Sequence, residues 1–111
     1  MSLLSCMDVR FGVEQELEWD LDTLQEEDLE RMHRVIIHND DVTPMEFVVI
    51  ILQRIFELNP LQAEHVMFVA HFEGMAYVCS LPLGEARKRV AKAHFAAQLE
   101  GYPLLFTIEP E

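Results

Sequence analysis

Residues 34–62 read RVIIHNDDVTPMEFVVIILQRIFELNPLQ, and this stretch decides the fold. Residues 34–38 are a short β-branched run, which predicts a strand. Asn39-Asp40-Asp41 is turn chemistry. Thr43-Pro44-Met45-Glu46 then combines two helix-start signals. Thr43 suits the N-cap with Glu46 as its capping-box partner three residues on, and Pro44 falls at the first helical position. A helix is predicted from there to about residue 57. Asn59-Pro60-Leu61-Gln62 repeats the same grammar and predicts a second helix.

Working outward, Gly74 is the stop signal of that second helix. Residues 75–81 read as a strand that Pro82 ends. Residues 85–100 read as a third helix, with Val90, Ala93, His94 and Ala97 on one face and Gly101 as its stop. Residues 104–108 complete the pattern as a last strand. The order β-α-α-β-α-β predicts an α+β domain of two layers, a three-stranded antiparallel sheet packed against three helices. This core domain is expected over residues 34–111.

The charge divides near the start of the core. Residues 1–34 hold ten acidic and three basic side chains, −7, and residues 35–111 hold ten and five, −5, which together give the chain's −12. With only Leu21, Leu24, Leu29 and Met32 as a weak apolar stripe, residues 1–33 read as an acidic, largely flexible N-terminal extension with a short helix within 22–33. The chain of 111 residues is 50% hydrophobic, enough for one domain with one core. The negative surface repels a phosphate backbone, so nucleic acid is excluded as a partner. No apolar run reaches the roughly 18 residues of a membrane span. Cys6 and Cys79 fit neither a disulfide framework nor a metal motif, and no signal peptide is visible; a cytoplasmic monomer is the expectation.

The first helix is apolar almost all round. Met45, Val48, Val49, Leu52, Ile55 and Phe56 hold the core-facing spacing, while Phe47, Ile50 and Ile51 are apolar too. Such a helix has more than one covered face. It either lies deep in the domain, or part of it lines a pocket or partner surface.

Two polar features stand beside it: the Asn39-Asp40-Asp41 turn, and His71 late in the second helix near Met67 and Ala70. By residue type alone, an ordinary turn and a satisfied helical histidine remain open. There is no Gly-rich phosphate loop, nucleophile elbow or His-Glu-x-x-His, and adjacent carboxylates on a turn make a poor acid–base pair. No catalysis, cofactor or metal is expected. Two other readings compete: a metal-dependent hydrolase built on His38, Asp40, Asp41 and His71, and a purely structural interaction module of the ribosomal stalk domain type, which shares the element order.

The string Val35-Ile36-Ile37-His38-Asn39-Asp40-Asp41-Val42-Thr43-Pro44-Met45-Glu46-Phe47-Val48 closely resembles the signature of the ClpS family, adaptors of the Clp protease. Met67, Ala70-His71-Phe72 with Gly74, Ala86, Val90 and Pro103-Leu104-Leu105 keep the family's order and spacing, so the resemblance covers about residues 34–109. It implies an adaptor for N-degrons, proteins beginning with Leu, Phe, Tyr or Trp, which it hands to the N-terminal domain of a ClpA- or ClpC-type AAA+ ATPase. By position, Asn39, Asp40, Asp41 and His71 should surround the substrate's α-ammonium. Thr43, Met45, Val48, Met67, Ala70 and Leu104 should line the side-chain pocket, and Glu85 and Arg89 should contact the ATPase. The chain departs from the family where Met75 follows the glycine in place of a basic residue. It departs again where Gly84 takes an acidic position that Glu85 fills one residue later. The resemblance also implies that the extension engages the ATPase during delivery. The residue types suit an ammonium, since an amide oxygen, carboxylates and a neutral imidazole nitrogen all accept hydrogen bonds from it.

Overall fold

The computed structural model describes residues 26–111. The flexible extension expected for residues 1–33 therefore lies, over residues 1–25, outside the described residues. In chain order the elements are α1 (Glu26–Glu30), β1 (Met32–His38), α2 (Met45–Arg54), α3 (Pro60–Glu73), β2 (Met75–Pro82), α4 (Leu83–Leu99) and β3 (Leu105–Pro110). The predicted order β-α-α-β-α-β is present, preceded by the short helix α1. The first strand begins at Met32, ahead of the predicted residue 34.

The sheet is antiparallel throughout, in the order β2-β1-β3. The β-branched strand β1 is central, and Val35, Ile36 and Ile37 are all buried. Its pairing with β2 shifts at Val35/Ile36, because Val35 faces Cys79 while Ile36 faces Tyr77. The extra residue, Val78, is turned into the core at 5% exposure. A bulge of this kind bends the strand and lets it wrap the layer it covers. Ala76 and Val78 of β2, Phe106 of β3, Ile51 and Leu52 of α2, Ala63, Val66, Met67 and Ala70 of α3, and Ala86, Val90, Ala93 and Ala97 of α4 share one core. The opposite sheet face stays open, where Met75, Tyr77 and Leu105 are exposed.

The helix boundaries follow the sequence grammar at three places. Asn59 and Gln62 form a capping box, with Oδ1 of Asn59 accepting the Gln62 N–H at 2.8 Å and Oε1 of Gln62 accepting the Asn59 N–H at 3.1 Å. Gly74 closes α3 at φ 94°, in the left-handed region where a side chain would be strained. Gly101 does the same after α4 at φ 77°.

The start of α2 differs from its prediction. Pro44 is the N-cap, no side chain caps the helix, and the helix ends at Arg54 instead of near residue 57. The Thr43 hydroxyl donates to Oδ2 of Asp40 at 2.8 Å, so it is not turned toward the helix. Thr43 and Glu46 therefore form no capping box, and the apolar face of α2 holds the helix in place instead. Both alternatives for that helix are realised. Ile51 and Leu52 are buried, Phe47 meets Tyr102 edge-on at 4.9 Å between ring centres, and Met45 at 39% exposure turns to a cleft.

Candidate functional site: an acidic-mouthed apolar cleft

The turn after β1 is built by Asp40. Its Oδ1 accepts the N–H groups of Val42 at 2.8 Å and Thr43 at 2.7 Å, and Oδ2 accepts the Thr43 hydroxyl. Partial burial works to raise the Asp40 pKa, but these bonds from Thr43 and Val42 outweigh it and hold the carboxyl below its ordinary value. Asp40 is thus an ionised turn organiser whose acceptor capacity is largely engaged. Asp41, next to it, is exposed.

A second bond brings the distant part of the site in. The Asn39 N–H donates to the Gly74 carbonyl at 2.9 Å, which pins the turn to the end of α3. One turn before that end stands His71, exposed, its ring edge-on to Phe72 at 4.9 Å. Residues 32 positions apart, Asn39 and His71, so come to one mouth.

That mouth opens into a cleft of about 330 Å³ lined by Asn39, Asp40, Asp41, Thr43, Met45, Val48, Met67, Ala70, His71 and Leu104, every residue the sequence nominated for the amine site and the pocket. Met67, Ala70 and Leu104 are buried at the closed end, while Asn39, Asp41 and His71 are exposed at the rim. Thr43 and Val48 are half-buried along the walls. The site is apolar at depth and rich in hydrogen-bond acceptors at its edge, with carboxylates on one side. Ile37, His38, Val42 and Pro44 also line it. Sequence reasoning missed them as lining, although all four abut the nominated residues. Nε2 of His38 lies 2.8 Å from Oγ1 of Thr107, a partner that ties it to β3.

A groove of about 590 Å³ between α3 and β2, lined by Leu61, His65, Val69 and Tyr77 among others, is larger. Its polar side chains Asn59 and Gln62 are occupied with each other as capping partners. It lacks the converging acceptors of the smaller cleft, so chemistry and not size selects the site. Among the described residues no three His, Cys, Asp or Glu side chains are arranged to hold a metal ion. No helix among them is long and apolar enough to cross a membrane. Cys79 is partly buried, and burial raises its pKa above the ordinary thiol value.

Glu85 and Arg89 lie apart from the cleft on α4. Arg89 Nε donates to Oε2 of Glu85 at 2.9 Å, its Nη1 to the Ile55 carbonyl at 3.4 Å, and Nη2 lies 3.7 Å from Oε2 of Glu57. The guanidinium is largely covered, at 19% exposure, while Glu85 remains at 39%.

Comparison with known proteins points to one family. The family model described as ATP-dependent Clp protease adaptor protein ClpS matches residues 28–107. The adapter protein ClpS 2 of Mesorhizobium japonicum is 42% identical over 81 residues, 73% of this chain and 80% of that protein. The ClpS adapter of Nitratidesulfovibrio vulgaris is 45% identical over 80 residues, 71% of this chain and 79% of that one. Among solved structures, Agrobacterium tumefaciens ClpS2 bound to L-phenylalaninamide superposes with a TM-score of 0.70 at 34% identity, covering 74% of this chain and 99% of that chain. The chain belongs to the ClpS family of ATP-dependent Clp protease adaptor proteins.

Proposed function

We propose that this protein captures substrates by an N-terminal Leu, Phe, Tyr or Trp in the cleft and delivers them to a ClpA- or ClpC-type AAA+ ATPase of the Clp protease. The observation that carries this reading is the shape of the cleft, with Asn39, Asp41 and His71 at its rim and Met67, Ala70 and Leu104 at its closed end. A free amino terminus is a cation with three donors attached to a side chain that seeks burial, and the cleft offers acceptors and an apolar end in that order. The related ClpS2 structure holds L-phenylalaninamide, a free α-amine beside an aromatic side chain.

In this reading Asn39 Oδ1, an Asp41 oxygen and an unprotonated ring nitrogen of His71 take the three ammonium protons. Asp40 shapes the turn and adds negative potential. Thr43, Met45 and Val48 set the width of the entrance, and the substrate side chain fills the space toward Met67, Ala70 and Leu104. Hydrogen bonds to a charged group contribute roughly 1.5–3 kcal/mol each, and burying a Leu or Phe side chain adds about 1.5–3 kcal/mol. Association opposes them by at least about 4 kcal/mol. Three bonds and one buried side chain leave a net of about 2–8 kcal/mol, which reaches roughly micromolar binding at its upper end and suits a carrier that must release its load.

The protein acts by binding and transfer, without making or breaking a bond, as a cytoplasmic monomer. Glu85 offers the ATPase's N-terminal domain an exposed carboxylate, and Arg89 holds it in place from below. The acidic N-terminal extension takes part in delivery. The test is a fluorescence titration with peptides that differ only in the first residue. Leu, Phe, Tyr and Trp peptides bind in the micromolar range, and Gly, Asp and Lys peptides do not; equal affinity for all would overturn the reading.

A further inference from the structure

The strand that follows Leu104 is fastened from two sides. β3 is the last strand of the sheet, and β1 holds it through pairs such as His38 with Leu105. From the helix layer, Nε2 of His94 in α4 accepts the Phe106 N–H at 3.0 Å. Phe106 itself is buried, its ring 4.9 Å from that of Phe56 and 6.2 Å from that of His94. A partly buried amide at a sheet edge needs an acceptor, and the unprotonated imidazole nitrogen supplies it.

His94 lines no part of the substrate cleft, but Leu104, two residues before the amide it holds, is buried at the closed end of that cleft. Residues 102–104 belong to no helix or strand. Upstream they are anchored by Tyr102, whose N–H donates to the Ala97 carbonyl at 2.9 Å and whose ring meets Phe47 of α2. Leu104 is therefore strung between two fastenings to α4, Tyr102 on Ala97 and Phe106 on His94. These two α4 residues lie three apart, on one face of the helix.

We propose that His94 is a positioning residue for substrate selection: by holding the Phe106 N–H it fixes Leu104, and with it the depth at which the cleft ends. This role rests on the reading of the cleft as the pocket for the substrate's first side chain. Packed walls yield little, so a side chain too long for the space forces shifts that oppose its binding. Trp is the largest of the four accepted residues and presses hardest on a fixed floor. Once His94 releases Phe106, Leu104 can withdraw. Trp then gains room, while Leu loses contacts to a floor that has moved away.

The experiment is a titration of two peptides that differ only in beginning with Trp or Leu, at about pH 8, where an ordinary histidine is neutral. His94→Leu removes the acceptor and should raise the Trp-to-Leu affinity ratio at least threefold. His94→Asn, whose acceptor falls one bond short of Nε2, should do the same, and it carries the test if the leucine variant does not fold. His94→Gln places an acceptor as far along its side chain as Nε2 and should keep the parent ratio within twofold. Asn59→Ala breaks the capping box at the start of α3, away from the cleft, and should cost stability without moving the ratio. A parent ratio retained in both His94→Leu and His94→Asn overturns the proposal. So does a shift in His94→Gln as large as in His94→Leu, or an equal shift in Asn59→Ala, which would make the effect one of general loosening. A parent protein that binds neither peptide removes the reading of the cleft and this role with it, whereas a parent that binds both leaves that reading standing whatever the variants do.

Discussion

Replacing Asp40 and Asp41 one at a time should separate folding from binding. Asp40→Ala removes three hydrogen bonds, from the Val42 N–H, the Thr43 N–H and the Thr43 hydroxyl at 2.7–2.8 Å. Each such bond contributes about 0.5–1.5 kcal/mol net. Asp40 is only partly buried and water re-solvates the freed groups, so the lower part of the range applies and the total loss is about 1.5–3 kcal/mol. With a urea slope of roughly 1–3 kcal/mol/M, a loss near 2 kcal/mol lowers the unfolding midpoint by roughly 1 M. Asp41→Ala removes an exposed side chain, and its stability effect should stay within about 0.5 kcal/mol. Its effect on binding is the larger one. Losing one acceptor of a charged donor forfeits about 1.5–3 kcal/mol, a tenfold to roughly hundredfold weaker Kd. Urea unfolding and fluorescence anisotropy with a labelled Leu-peptide measure the two quantities on the same preparations. Unchanged affinity in Asp41→Ala would refute its role as an ammonium acceptor. An unchanged midpoint in Asp40→Ala would refute the turn argument.

Met45→Ala should admit Ile- and Val-starting peptides, whose second branch at Cβ clashes with a narrow entrance, while Leu and Phe affinity changes modestly; a titration of the four peptides against both proteins decides it, and continued exclusion of Ile and Val by a folded mutant would shift the gate to Met67 or Leu104. His94 gives a stability prediction in pH. Burial lowers its pKa from 6.5 in the folded chain, and Nε2 must be unprotonated to accept the Phe106 N–H at 3.0 Å. The unfolded chain therefore binds the proton first on acidification, so this contribution is complete above pH 6.5 and is lost as pH falls from there to the folded pKa. Urea unfolding at several pH values should show that loss in the parent and not in His94→Gln. Deleting residues 1–20 should leave peptide affinity unchanged and abolish delivery to the protease, read as degradation of an N-degron substrate by the reconstituted ATPase and peptidase; normal degradation would remove the extension from the delivery step.

The fold was largely legible because its punctuation is local. Gly74 and Gly101 sit at positive φ where the chain must turn, and Asn59 with Gln62 closes a capping box over four residues. Thr43 was misread for the converse reason. It carries the same local signal as Asn59, yet Asp40 three residues upstream offers its hydroxyl a carboxylate, and no propensity rule ranks those two partners. α2 also ends earlier than its apolar pattern runs: its C-cap Ile55 still donates its N–H to the Ile51 carbonyl at 2.9 Å, and Phe56 goes on packing into the core beyond the helix. At the cleft, the residues from Asn39 to Val48 are adjacent in sequence and readable as a unit. His71 and Leu104 are not: what joins His71 to the turn is a backbone bond from Asn39 to Gly74, which leaves no trace in side-chain type. Their assignment rested on the family resemblance. The turn-building role of Asp40 was equally hidden, since two neighbouring aspartates look alike until the bonds from Val42 and Thr43 to Asp40 are seen.

The most direct test of the central claim is the affinity of one Leu-starting peptide with its α-amine free and with the same amine acetylated, measured by isothermal titration against the full-length protein. Acetylation removes the positive charge and two of the three donors that Asn39, Asp41 and His71 are held to receive, and leaves the leucine side chain untouched. The free peptide should bind in the micromolar range, and the acetylated one at least a hundredfold more weakly, about 2.7 kcal/mol. Equal affinities would contradict the account, because the cleft would then be recognising an apolar side chain and not an amino terminus.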